Sequence, residues 1–266
     1  MYAFDYRRPA TLNEADLALK AMPGAKFLAG GQTLLPTMKQ RLAKPSALID
    51  LSGIAELKSI RLDGNALVIG AMATHHDVAT SATVRNSLPG LAHLAEGIGD
   101  PQVRNRGTIG GSLANNDPAA DYPAAALALG ATFVTNKRKI AADDFFQGLF
   151  STALGEDEIL TAVSFPITKR FSYAKFANPA SRYALVGVAV AETASGVRVA
   201  VTGAGSDGVF RSKELEAALG KGFSDASLAG VTVPSSGLNA DIHADADYRA
   251  NLIAVMAKRA VRHALG

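Results

Sequence analysis

The 266-residue chain contains no cysteine. That absence excludes a disulfide framework, a thiolate-held iron–sulfur cluster and a cysteine nucleophile within this polypeptide. A cluster that supplied it with electrons would have to sit on a partner. The chain also lacks a strong charge of either sign, since 27 Lys and Arg against 24 Asp and Glu leave a formal net charge of +3. The densest basic cluster, Lys137-Arg138-Lys139, reads as a solvated strand or turn, and nucleic acid is not expected as a partner. No apolar run approaches the ~20 residues of a membrane helix. Asp5, Arg7 and Arg8 interrupt the N-terminal stretch that a secretion signal would need, so the expected location is the cytoplasm. With 48% hydrophobic residues the chain can bury a substantial core, and its length predicts two domains.

Several familiar motifs are missing as well. There is no Gly-x-Gly-x-x-Gly after a strand and no glycine loop ending in Gly-Lys-Ser/Thr, which disfavours a doubly wound dinucleotide fold and an ATPase. No Gly-x-Ser-x-Gly elbow is present, and Ser151 and Ser164 have no nearby His for nucleophilic activation. His75-His76-Asp77 looks like a metal cluster, but Thr74 to Asp77 has capping-box spacing and reads as a helix start. His93, His243 and His263 are isolated, so no metal site is expected. Asp143-Asp144, before Phe145-Phe146, reads as a helix cap and not as a catalytic carboxylate pair.

What the chain does have is two glycine pairs, Ala29-Gly30-Gly31-Gln32-Thr33 and Thr108-Ile109-Gly110-Gly111-Ser112. Each reads as a strand end where backbone without side chains admits a phosphate to the main-chain N–H groups. Lys26 to Ala29 reads as a short strand before the first pair, and Thr33 to Lys39 as the opening of a helix with Pro36 in its first turn. The second pair runs into a polar loop, Asn115-Asn116-Asp117-Pro118 and Ala119 to Pro123. Two such loops could together supply the convergent donors that a diphosphate requires. Arg104 and Arg106 fit two roles equally, direct phosphate binding or pinning the loop that presents Gly110 and Gly111.

Elsewhere the elements alternate in type without an internal repeat. Thr11 to Glu14 has capping-box spacing for a helix with Leu12, Ala15, Leu19 and Met22 on one face, stopped by Pro23-Gly24. Leu48 to Leu51 reads as a strand, and Ile60–Leu62 with Ala66–Ile69 as a hairpin around Asp63-Gly64-Asn65. Leu185–Ala191 and Val197–Val201 predict a second hairpin, and an amphipathic helix is expected from about Asp247 to Leu265. Hairpins mixed with helices indicate an α+β fold.

The runs Phe27 to Lys39 and Ile98 to Asn115 resemble the signatures of the FAD-binding medium subunit of molybdenum hydroxylases, the group of aerobic carbon monoxide dehydrogenase and bacterial xanthine dehydrogenase. The similarity extends from Phe4 to the last helix. It implies a two-lobed FAD-binding domain of the PCMH or vanillyl-alcohol-oxidase-like type over 1–165, with lobes of about 1–55 and 56–165 and a smaller C-terminal α+β domain over 166–266. It implies that Ala29, Gly30, Gly31, Gln32, Thr33, Thr108, Ile109, Gly110, Gly111 and Ser112 hold the FAD pyrophosphate. By the same resemblance Asp121 meets polar groups of the cofactor, Leu160 and Lys175 line the flavin ring, and Tyr183 shields its face. Gln32 stands where carbon monoxide dehydrogenases tend to have His, which weakens carbon monoxide as the substrate. Ser112 stands where Asn is frequent, a change that leaves FAD binding intact.

The implied function is that of an oxidoreductase subunit. Electrons would arrive from [2Fe-2S] clusters on a small partner, after oxidation of substrate at a molybdenum cofactor on a large partner, and leave for an external acceptor. The expected assembly is a dimer of heterotrimers, with no catalytic acid or base on this chain. The alternative is a self-contained flavin-dependent oxidase or reductase, and a further one is a non-redox module holding another nucleotide.

Overall fold

Capping and hydrophobic spacing account for the first elements of the computed structural model, which describes residues 1–266. Strand β1 (Asp5–Arg7) leads into helix α1 (Leu12–Ala21), where Thr11 Oγ1 accepts from the Glu14 amide at 3.2 Å. Ala15 is fully buried on that helix, with Leu12, Leu19 and Met22 packed beside it. Next come β2 (Lys26–Leu28), α2 (Leu34–Lys39) and β3 (Ala47–Asp50). They form a three-stranded sheet in the order β1-β3-β2, in which both pairings are parallel.

The second lobe opens with the hairpin of β4 (Ile60–Asp63) and β5 (Ala66–Gly70), whose turn needs Gly64 at φ +56°. Six helices follow: α3 (His75–Thr80), α4 (Ala82–Ser87), α5 (Pro89–Glu96), α6 (Pro101–Arg104), α7 (Ile109–Asn115) and α8 (Tyr122–Leu129). All eight residues of α8 are buried, as an apolar sequence without a polar face requires. Strands β6 (Thr132–Thr135) and β7 (Lys139–Ala141), helix α9 (Ala142–Phe145) and strand β8 (Leu160–Pro166) complete the lobe. Its sheet is antiparallel in the order β4-β5-β8-β6-β7. The two lobes share apolar contacts, because Met72 and Ile159 of the second pack with Ile49 and Ile54 of the first.

A third sheet begins at β9 (Arg170–Ala177) and continues through β10 (Ala184–Thr193), β11 (Gly196–Thr202) and β12 (Phe210–Arg211). Side chains alternate across it, so each face meets a different core. Val186, Val188 and Val190 pack with Leu252, Ile253 and Met256 of the long helix α11 (Ala246–Leu265), which follows α10 (Lys213–Leu219). Phe171, Tyr173, Ala189 and Ala191 point the other way, into the core of the second lobe. No helix is long and apolar enough to cross a membrane.

Two local expectations change. Asp143 and Asp144 lie within the single turn of α9 and do not cap it. Asp143 accepts from Arg198 at 2.6 Å instead, because the guanidinium on β11 offers it a stronger, charged donor. The second glycine pair does not end a strand, because Thr108 is the N-cap of α7 and both glycines lie in that helix's first turn.

Candidate cofactor-binding cleft

A cleft of about 610 Å³ opens where the two lobes meet the loop after β9. The first glycine loop forms one wall. The chain leaves β2 and reverses at Gly31, whose φ of +73° favours glycine. Gly30 sits against the second lobe, where an added Cβ would lie 2.7 Å from Gly107 Cα and overlap the Arg106 carbonyl. The amides of Gly30, Gly31, Gln32 and Thr33 donate to no protein acceptor. Consecutive unpartnered N–H groups at a strand-to-helix turn form an anion-binding concavity.

The second glycine loop is built differently. Thr108 Oγ1 accepts from the Gly111 amide at 3.1 Å. Ile109 N–H donates to Ala73 O at 3.0 Å and Gly110 N–H to Ala71 O at 2.8 Å. These amides already have partners, so Gly110 is small for the sake of packing. A Cβ there would lie 2.6 Å from Ala71 O and closer still to Ala71 Cβ. Gly111 lines the cleft, and a Cβ on it would reach to 3.3 Å from Ala29 Cβ, so the two loops touch.

Most of the residues singled out from sequence meet at this cleft. Ala29 through Thr33, Thr108, Gly110, Gly111, Ser112, Asp121, Leu160 and Tyr183 line it, whereas Ile109 is buried behind it and Lys175 does not reach its surface. Lys175 instead holds Asp121 from behind, with Nζ 3.2 Å from each carboxylate oxygen, and also donates to Gly97 O at 2.9 Å. Tyr173, two residues earlier on the same face of β9, donates its hydroxyl to Asp121 Oδ1. Burial pushes the Asp121 carboxyl above its ordinary value, opposed by Lys175 and Tyr173.

Tyr183 is 48% exposed at the mouth. Its loop is tied by Asn178, whose N–H donates to Tyr183 O at 2.8 Å, and turns through Arg182 at φ +61°. Arg182 Nη1 reaches across to Gly99 O at 3.2 Å. Arg104 Nη1 donates to Ile98 O at 3.0 Å and Gly99 O at 3.2 Å, so its guanidinium braces the turn before α6 and makes no bond to the loop of Gly110 and Gly111. The Arg106 side chain makes no such bond and is exposed.

The sequence reads His75 as part of a helix start, and Thr74 and Asp77 do form the capping box of α3. The structure nevertheless puts its ring, 5% exposed, on the cleft wall. Its Nδ1 has no partner, and burial, helped by Arg104, lowers its pKa to about 4. Tyr173 and Arg182 were also missed. The signal for Tyr173 was the two-residue spacing to Lys175 on one strand face; Arg182 left none, since its contact with Gly99 spans 83 residues.

The cleft suits a dinucleotide bearing a diphosphate and a large planar ring. It offers unpartnered amides at one end, Asp121, Leu160 and Tyr183 elsewhere, and a first loop packed so close to the start of the second that a side chain at Gly30 would overlap the Arg106 backbone. Comparison with known proteins agrees. The family described as "FAD binding domain in molybdopterin dehydrogenase" matches residues 2–168. The carbon monoxide dehydrogenase medium chain of Hydrogenophaga pseudoflava is 38% identical, over 98% of this chain and 96% of its own. The nicotine 6-hydroxylase medium subunit of Paenarthrobacter nicotinovorans is 36% identical, over 97% and 96%. A crystal structure of quinoline 2-oxidoreductase from Pseudomonas putida 86 superposes with a TM-score of 0.90 at 33% identity, covering 99% of this chain and 97% of that one. On fold, site and sequence together, the chain belongs to the family of FAD-binding medium subunits of the molybdopterin dehydrogenases.

Proposed function

We propose that the unpartnered amides of Gly30 to Thr33, with Gly111 and Ser112 facing them, hold the diphosphate of FAD, and that Leu160 and Tyr183 bracket its ring. The observation that carries this reading is the contact between the two glycine loops at the cleft, with donors left free on one of them. Bound FAD supplies one- and two-electron transfer between the iron–sulfur clusters of a partner and an external acceptor. The chain's own part is to bind and orient: the loops fix the diphosphate, Arg104 and Arg182 brace Gly99 at the mouth, and Tyr183 covers the opening.

The chain works as the electron-transfer subunit of a multi-subunit molybdenum hydroxylase. With no cysteine of its own, it relies on a small partner for [2Fe-2S] clusters and on a large partner for the molybdenum cofactor and the substrate pocket. Relatives named for carbon monoxide, nicotine and quinoline share this chain's sequence or fold at similar identity, in keeping with a substrate set by the large partner. We place the complex in the cytoplasm and the domain boundary after Phe165, beside the switch of sheets between Pro166 and Arg170. Titration of the purified full chain with FAD, FMN and ATP tests the reading. Preference for FAD, with quenching of flavin fluorescence, is expected; equal or absent binding of FAD overturns it.

A further inference from the structure

Asp121 combines three properties: it is 5% exposed, it lines the cleft, and two side chains of the C-terminal sheet address its carboxylate. The loop that carries it has a separate anchor. Thr202 Oγ1 donates to Pro118 O at 3.0 Å and Ala120 O at 2.7 Å, and Gly203 N–H donates to Pro118 O at 2.8 Å. The backbone position of Asp121 is therefore fixed without Tyr173. Lys175 has a second duty at Gly97 O, whereas the Tyr173 hydroxyl bonds the Asp121 carboxylate alone. Gly187 on β10 keeps that hydroxyl in place, because a Cβ there would lie 2.8 Å from Tyr173 Cζ and overlap the hydroxyl oxygen.

We propose that Tyr173 is a positioning residue for the cofactor, its hydroxyl, backed by Gly187, holding the buried Asp121 carboxylate as a fixed anionic acceptor at the cleft wall. A carboxylate has about four acceptor sites and the protein fills part of them, leaving capacity for a donor on the ligand. An anion repels a diphosphate, so Asp121 marks the part of the cleft where the ligand presents donors, a ribityl hydroxyl or the imide N–H of the ring. The cleft is thereby polarised: free amides receive the anionic end of the dinucleotide, and the Tyr173–Asp121 pair receives the neutral end. This inference rests on the FAD reading above.

The test uses the full-length chain and Tyr173→Phe, each also in an Asp121→Ala background that removes the acceptor, with FAD affinity measured by fluorescence from pH 6 to 9. Tyr173→Phe is expected to weaken FAD binding about tenfold, and to add nothing once Asp121 is Ala. The titratable groups facing the carboxylate are Tyr173 and Lys175 on β9, Tyr122 on α8 and Tyr183 on the loop after β9. Loss of the hydroxyl leaves Lys175 as the one protein donor, so the Tyr173→Phe variant should lose affinity as pH falls, while the parent stays flat. A purely structural role would lower affinity equally in both backgrounds without a change of pH profile, and that result overturns the proposal. If Tyr173→Phe does not fold, the parent protein decides without flavin: a Tyr173 hydroxyl proton protected from exchange is expected by NMR and should vanish in Asp121→Ala, which removes the acceptor. Its absence from the parent also overturns the proposal. A parent chain that binds no FAD refutes the proposed function instead, a distinguishable outcome.

Discussion

The segments around Gly30-Gly31 and Gly110-Gly111 are near twins on paper, each a glycine pair with threonine close by and a helix following, yet their backbones do different work. In the first, glycine serves conformation and access: Gly31 takes a positive φ, Gly30 lies flat on residues 106 and 107, and the amides that follow are free. In the second, glycine serves packing: the amides of Ile109 and Gly110 are bonded to Ala73 and Ala71, and Gly110 has no room for a methyl group. One loop keeps its donors free and lies against the other, whose leading amides are already bonded. A glycine pair is thus ambiguous until the partners of its N–H groups are known.

The largest effect that sharpens this contrast is expected from Gly110→Ala. Its Cβ would be driven into the Ala71 backbone, and the fold should lose about 3 kcal/mol or more in denaturant titration of the flavin-free chain. Unchanged stability with loss of FAD alone would break the distinction. The His75 ring, buried on the cleft wall with Nδ1 unpartnered, gives a second test of similar size. Its folded pKa of about 4 lies below the ordinary histidine value of 6.5, so the unfolded chain binds more protons between those limits. Stability is full above about pH 6.5 and should fall by up to about 3 kcal/mol on acidification to pH 4. His75→Phe should abolish that dependence in pH-resolved melting.

On the cleft side, Gly111→Asp should weaken FAD binding about a hundredfold by setting a carboxylate against the diphosphate, while moving Tm by only a few degrees. Equilibrium dialysis with calorimetry separates the two quantities, and a Tm collapse would place Gly111 with Gly110. Thr108→Ala should have the smallest effect. Loss of the α7 cap is expected to cost about 1 kcal/mol of stability and to spare most FAD affinity, checked by the same pair of measurements.

Much of the architecture was legible along the chain because its signals are local. Thr11 and Thr74 announce helices through their own third neighbours, and the turns at Gly64 and Gly196 announce hairpins within a few residues. Asp143 went astray because its partner, Arg198, is 55 residues away and nothing in the intervening sequence signals it. The same holds for Lys175, which turns its amine to Gly97 and Asp121 and not to the cleft surface. His75 was legible as a helix start, while its place on the cleft wall depended on how α3 packs beside Gly107.

By itself the sequence determined the α+β class, the freedom from cysteine chemistry and the two glycine segments with their family likeness, because composition, periodicity and glycine placement act over short distances. Only the tertiary structure decided which amides stay free, that the two loops touch, and that Tyr173 reaches Asp121. Hydrogen-bond partnership and steric contact are settled between segments tens of residues apart, and no local pattern encodes them.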